Sequence, residues 1–247
     1  MNPVILITLH RRYHELELAL ENINRKKIFF KKKPKIVVIW ADPENGRKWF
    51  IDSLLKNKLI DNILYRYKLP NEGNTKATTF YESQNIRLGL QNVFRLYENS
   101  YCIVQASDIC ITEYGLYLIE NEMNNGAELV NFYWQNKFTL NAWSTNCFAV
   151  KSNQEYWPPF CDIDCLDTLE KLWFKSLENK IKLKITTMSN NNNIVFVHNH
   201  ISEKLNPFPI KYIDLKNNLK MYIKGNMKFT KMIKNFLRCI FKGGSNV

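Results

Sequence analysis

The chain has 247 residues, 45% of them hydrophobic and 13% aromatic, with only eight glycines and eight prolines. This composition excludes a disordered or fibrous protein and suits one substantial core. The net charge is +12, but after residue 210 nine basic residues face a single acid, Asp214. The charge therefore belongs mainly to a basic tail, and no nucleic-acid partner is expected of the body.

No apolar run reaches the ~18 residues of a membrane-spanning helix. Met1–His10 has the pattern of a strand and not of a signal peptide, so a cytoplasmic chain is expected. The six cysteines show neither a CxxC pair nor zinc spacing, which predicts reduced, mostly buried thiols.

Pro3–Leu9 is short, apolar and β-branched, as a fully buried strand should be. Tyr13–Ile23 follows with helical spacing, and Ile36–Asp42 is a second buried strand that ends in a carboxylate. Residues 47–60 again read as a helix, and 62–69 as a third strand. Residues 71–99 combine a polar loop with a helix that aligns Ile86, Leu90, Val93 and Phe94. The apolar run 101–107 then ends beside Asp108, and a segment with helical spacing follows. Such alternation of strand and helix predicts an α/β fold: a Rossmann-type open twisted, mostly parallel sheet with helices on both faces. Parallel sheets bind ligands outside the carboxyl ends of their strands, where Asp42 and Asp108 both fall.

The second half reads differently. Segments 127–135 and 143–151 are aromatic-rich strands, 162–180 is a helix running from acidic to basic, and 181–188 and 192–200 are further strands. The last of these ends in His198 and His200. Trp143 and Trp157 are either core residues or platforms for a sugar ring.

In order and spacing, these segments resemble a GT-A glycosyltransferase, most like the family-2 inverting type, over roughly Pro3 to His200. The strand ending "VVIWAD" stands where that family has a base-contacting aspartate, here Asp42. The phrase "NEGNTKATTFYESQNIRLGL" resembles its Ala-Arg-Asn segment, and "IVQASDICITEYGLYLIENE" its Asp-x-Asp strand and helix, with Asp108 as the second aspartate. "STNCFAVKSN", "DIDCLDTLEKLW", "ENKIKL" and "IVFVHNH" follow in the family's order. The first aspartate of Asp-x-Asp falls at Ala106, a departure from the pattern.

The resemblance implies a GT-A-like domain over residues 1–205 and a nucleotide-diphosphate sugar as donor, contacted by Asp42, Lys76, Arg87 and Asp108. It implies Mn²⁺ or Mg²⁺ held by Asp108 with His198 or His200; the alternative is a metal-free site in which Arg87 and Lys76 stabilise the diphosphate. It also implies Asp167, or else Asp164, as the general base that deprotonates an acceptor hydroxyl. Any of these aspartates also suits the N-terminus of a helix for purely structural reasons.

Residues 206–247 form the second segment. Between Met227 and Phe241, Phe229, Met232, Ile233, Phe236, Leu237 and Ile240 fall on one helical stripe among lysines, as in a helix lying on anionic lipid. The resulting expectation is a glycosyltransferase peripherally attached to the inner face of the membrane, with a cell-surface glycan or glycolipid as acceptor. The alternative is a non-catalytic GT-A-like protein that binds a sugar nucleotide or a glycan.

Overall fold

A computed structural model describes residues 1–9, 12–26, 30–41, 47–66, 75–133, 143–177, 185–188 and 196–198. At 75–78, 132–133, 143, 185–188 and 196–198 the description is of the backbone alone.

The first half alternates strictly: β1 (Asn2–Leu9), α1 (Tyr13–Lys26), β2 (Lys35–Trp40), α2 (Lys48–Lys56), β3 (Asn62–Tyr65), α3 (Thr75–Leu96) and β4 (Ser100–Ala106). A three-residue strand, β5 (Ile109–Ile111), follows, and then α4 (Glu113–Asn124), β6 (Leu129–Tyr133), β7 (Trp143–Val150), α5 (Leu169–Leu177), β8 (Ile185–Met188) and β9 (Phe196–His198). Seven strands form one sheet in the order β3-β2-β1-β4-β7-β6-β8. The first four are mutually parallel, β7 runs antiparallel to β4 and β6, and β5 pairs with β9 in a separate ribbon.

Alternation along the buried strands divides the core in two. Ile5, Ile7, Ile36, Val38, Trp40, Tyr101 and Ile103 pack with α1, α2 and α4 on one face. Val4, Leu6, Val37, Ile39, Cys102 and Val104 pack with α3 and α5 on the other. Each fully buried aliphatic side chain stabilises the fold by about 1.5–3 kcal/mol. This explains why β1 and β4 carry no charge: both of their faces are covered.

On α3, a Cβ at Gly89 would lie 2.5 Å from a Cδ of Leu6, so the missing side chain sets how closely this helix approaches β1. Gly89→Ala is expected to lower stability by about 1 kcal/mol, overpacking outweighing the gain in helix propensity. Urea unfolding of the two proteins measures this, and an unchanged midpoint would mean that Leu6 turns aside without cost.

Two sequence expectations are corrected. The chain after Asp108 does not enter a helix directly: β5 intervenes, and α4 begins only after Thr112, whose Oγ accepts from Gly115 N at 3.1 Å as an N-cap. The helix expected over 162–180 is described only over Leu169–Leu177. Residues 162–168 form a turn instead, with Cys165 N donating to Asp162 O, and the first helical bond, Leu172 N to Thr168 O, starts at Thr168. Of the two readings of Trp157, core residue or sugar platform, the first holds: it is buried, stacks on Phe94 at 5.6 Å and donates its Nε1 to Lys151 O.

Cys102, Cys110, Cys147, Cys161 and Cys165 form no disulfide, and all but Cys165 are buried. Among the described residues no helix is long and apolar enough to cross a membrane.

Candidate functional site

Strand order fixes where a ligand can enter. From β1 the chain passes outward to β2 and β3, while β4 lies on β1's other side. The sheet's topological switch therefore falls between β1 and β4, and a crevice opens beyond their carboxyl ends. Arg12 follows β1 and Asp108 follows β4, and the Arg12 guanidinium forms an ion pair with the Asp108 carboxylate across this gap. The two side chains are unequally placed: Asp108 is 7% exposed and Arg12 46%. The carboxylate stands behind, and the guanidinium is what the crevice presents to solvent.

The turn bearing Asp108 is held from three directions. Ser107 N donates to Thr8 O at 3.0 Å. Gln105 Nε2 donates to Ile109 O at 3.2 Å. Ile109 pairs with His198 in the β5–β9 ribbon. That pairing sets the backbone of His198 opposite the residue next to Asp108, so two positions singled out for metal binding share one corner of the fold. His200 and Asp42 lie outside the described residues.

The described residues on either side of 42–46 are both held by Tyr13, whose hydroxyl accepts from Trp40 Nε1 and from Arg47 N, each at 3.2 Å. Arg47 also sits 5.8 Å from the centre of the Tyr13 ring. Nothing in the sequence marked Tyr13 for this role, because its partners lie 27 and 34 residues downstream.

Other expected contacts are distributed differently. Lys76 lies in the first turn of α3. Arg87, offered as a diphosphate contact, is engaged by the loop before α5. Its Cζ lies 5.6 Å from the Trp157 ring centre and 4.3 Å from that of Phe160, and Nη1 donates to Pro158 O at 2.8 Å. Burial lowers its pKa. Asp164 is exposed within the 162–165 turn. Asp167, just ahead of α5, pairs with Lys175 at 2.9 Å, and that hydrogen bond and charge hold its carboxyl below the usual aspartate range.

A further carboxylate pair was not foreseen. Thr145 stands two residues before Cys147, which pairs with Gln105 of β4, so it is level with the carboxyl edge of the sheet. Its Oγ1 donates to Glu170 Oε1 of α5 at 3.2 Å, and Glu82 of α3 also hydrogen-bonds it. Burial, together with the nearby charge of Glu170, pushes the Glu82 carboxyl up to about 7 despite the opposing Thr145 bond. The sequence holds no local signal for this trio, since its members come from α3, β7 and α5.

The fit of a divalent ion can be judged from these donors. Among the described residues no group of three His, Cys, Asp or Glu side chains is arranged to hold a metal. Ala106 offers no side-chain oxygen where the family pattern has an aspartate, and the Asp108 carboxylate is already paired with a guanidinium. A hard cation needs several oxygen ligands. The described residues do not supply a resident metal site.

No protein-family model and no curated protein matches the sequence. Among solved structures the chain is similar to residues 1–349 of S. aureus TarS, with a TM-score of 0.51 at 12% identity, over 99% of this chain and 73% of that one. A longer TarS structure gives 0.52 at 9% identity and is covered to only 42% of its length. The mannosyltransferase PcManGT from Pyrobaculum calidifontis, solved in complex with GDP-Man and Mn²⁺, gives 0.50 at 10% identity, over 76% of this chain and 55% of that one. With these likenesses and the strand order above, the chain has the fold of the GT-A glycosyltransferases.

Proposed function

We propose that the chain transfers a sugar from a nucleotide-diphosphate donor to a hydroxyl of a glycan or glycolipid acceptor, with inversion at the anomeric carbon. The observation that supports this most is the charged pair at the β1/β4 switch of a GT-A-like sheet, where a ligand of this fold class binds. In this reading Asp42 contacts the nucleotide base, Lys76 adds positive charge toward the diphosphate, and Arg87 holds the loop before α5 on α3.

Asp167 is the proposed general base, with Asp164 as second candidate. In this reading a carboxylate ahead of α5 takes the acceptor proton while the anomeric carbon is attacked from the face opposite the diphosphate. Its pairing with Lys175 keeps it ionised and also makes it a weak base, so Asp167→Asn and Asp164→Asn are to be compared by kcat. Mn²⁺ or Mg²⁺ on Asp108 with His198 or His200 has the β5–β9 pairing in its favour and the Arg12 guanidinium against it.

Incubation with a panel of UDP-, GDP-, dTDP- and CDP-sugars, read by release of the nucleoside diphosphate, tests the reading. Turnover of one donor is expected, and stimulation by an added glycan or lipid-linked saccharide identifies the acceptor class. Ala106 favours one competing reading, a domain that binds sugar nucleotide without transferring it. Saturable donor binding with no turnover for any acceptor would establish that reading instead.

We place residues 206–247 on anionic membrane, a proposal that rests on their sequence alone. Truncation after Pro209 is expected to abolish co-sedimentation with phosphatidylserine vesicles at low salt. Retention by the truncated chain would remove the tail from the mechanism.

A further inference from the structure

The donor site inferred above, on which this step rests, lacks a carboxylate at Ala106 and carries a guanidinium instead. Arg12 and Asp108 span the crevice between the carboxyl ends of β1 and β4, and of the two it is Arg12 that faces solvent, at 46% exposure against 7%. An approaching dication would have to displace Arg12 from a buried carboxylate, and no group of three described His, Cys, Asp or Glu side chains is arranged to hold it there. An approaching diphosphate meets a guanidinium already oriented by the carboxylate behind it. Arginine suits this task because its planar fork offers several N–H donors, so one edge can rest on a carboxylate while another receives phosphate oxygens.

We propose that Arg12 is the fixed cation of the donor site: it binds the diphosphate directly, oriented by Asp108, and nucleoside diphosphate binding needs no divalent ion. On leaving-group departure the negative charge that develops on the diphosphate falls on a charge the protein already holds in place. No proton moves to or from Arg12, whose guanidinium stays charged throughout.

The test is calorimetric titration of the full-length protein with UDP, GDP, dTDP and CDP, and with inorganic pyrophosphate, first in EDTA and then in MnCl₂. One nucleoside diphosphate is expected to bind in EDTA within about threefold of its affinity in Mn²⁺. Loss of one charge-assisted contact predicts that Arg12→Ala weakens this binding roughly 10- to 100-fold. Arg12→Lys is expected to recover part of the loss, since an ammonium restores the charge without the fork. Arg12 is half-exposed, so both variants should melt with the wild type, and thermal unfolding checks that they do.

Binding that appears only with Mn²⁺, or unchanged affinity of Arg12→Ala in EDTA, overturns the inference while leaving the sugar-transfer reading intact. Absence of nucleoside diphosphate binding in both buffers overturns both. Pyrophosphate that binds wild type and Arg12→Ala alike marks nonspecific attraction to the basic tail, and in that case only the Arg12-dependent part of nucleotide binding counts in favour.

Discussion

Asp108→Asn is expected to lower sugar transfer about 100- to 1,000-fold, the range for removing one preorganised charge or dipole from a reacting site. The melting temperature should stay within a few degrees of wild type. Asparagine is nearly isosteric, so the turn keeps its shape, and Ser107 N, Gln105 Nε2 and the β5–β9 ribbon still restrain it. Two electrostatic effects oppose each other in the folded state. Losing the ion pair costs little, because the half-exposed Arg12 regains water. Removing a buried charge is favourable, because that charge was desolvated on folding. Activity has no such compensation: without the carboxylate the guanidinium loses its orientation at the diphosphate. Initial donor-turnover rates and thermal melts of the two proteins check this together. A rate within threefold of wild type would remove Asp108 from the site, and a collapse in melting temperature would make it a structural residue.

The sheet was legible in the sequence because its central strands are buried on both faces. Val4–Leu9, Ile36–Trp40 and Tyr101–Val104 tolerate only apolar residues at nearly every position, and such runs stand out. Asp108 at the mouth of β4 was legible for the same reason, as the first charge after such a run. Arg12 was not, because an arginine after a strand is an ordinary solvated residue until β4 is known to pair with β1 and bring Asp108 across from it. The 162–168 segment was misread because its acids suit a helix start. The chain leading into it is held by distant partners instead, Ser83 Oγ accepting from Cys161 N and Arg87 gripping Pro158 and Phe160. The Glu82–Thr145–Glu170 contact depends on packing three elements whose spacing along the chain carries no pattern at all.

That contact has a consequence for stability. Wild type is expected to lose up to about 3 kcal/mol of stability between pH 4.5 and pH 7 through Glu82 alone, and Glu82→Gln should not show this loss. In the folded chain the Glu82 carboxyl titrates at about 7, raised first by burial and then by Glu170, whereas its ordinary value is 4.5. Between these two values the folded state holds a proton that the unfolded state has released. Stability therefore falls as pH rises through this window; the favourable contribution is complete below pH 4.5 and gone above pH 7. The rise from 4.5 to about 7 corresponds to about 3 kcal/mol, an upper figure because Glu82 as a whole residue is only partly buried. Glutamine keeps the amide-sized volume and a hydrogen bond to Thr145 without a charge to desolvate. The variant should thus match wild type near pH 4.5 and exceed it at pH 8. Other titrating groups contribute equally to both proteins, so the difference between their urea-unfolding free energies, measured at pH 4.5, 6 and 8, isolates Glu82. Parallel pH profiles for the two proteins would show that this carboxyl is hydrated and titrates normally. A widening gap with rising pH would identify it as a charge held beside the crevice at a cost to the fold.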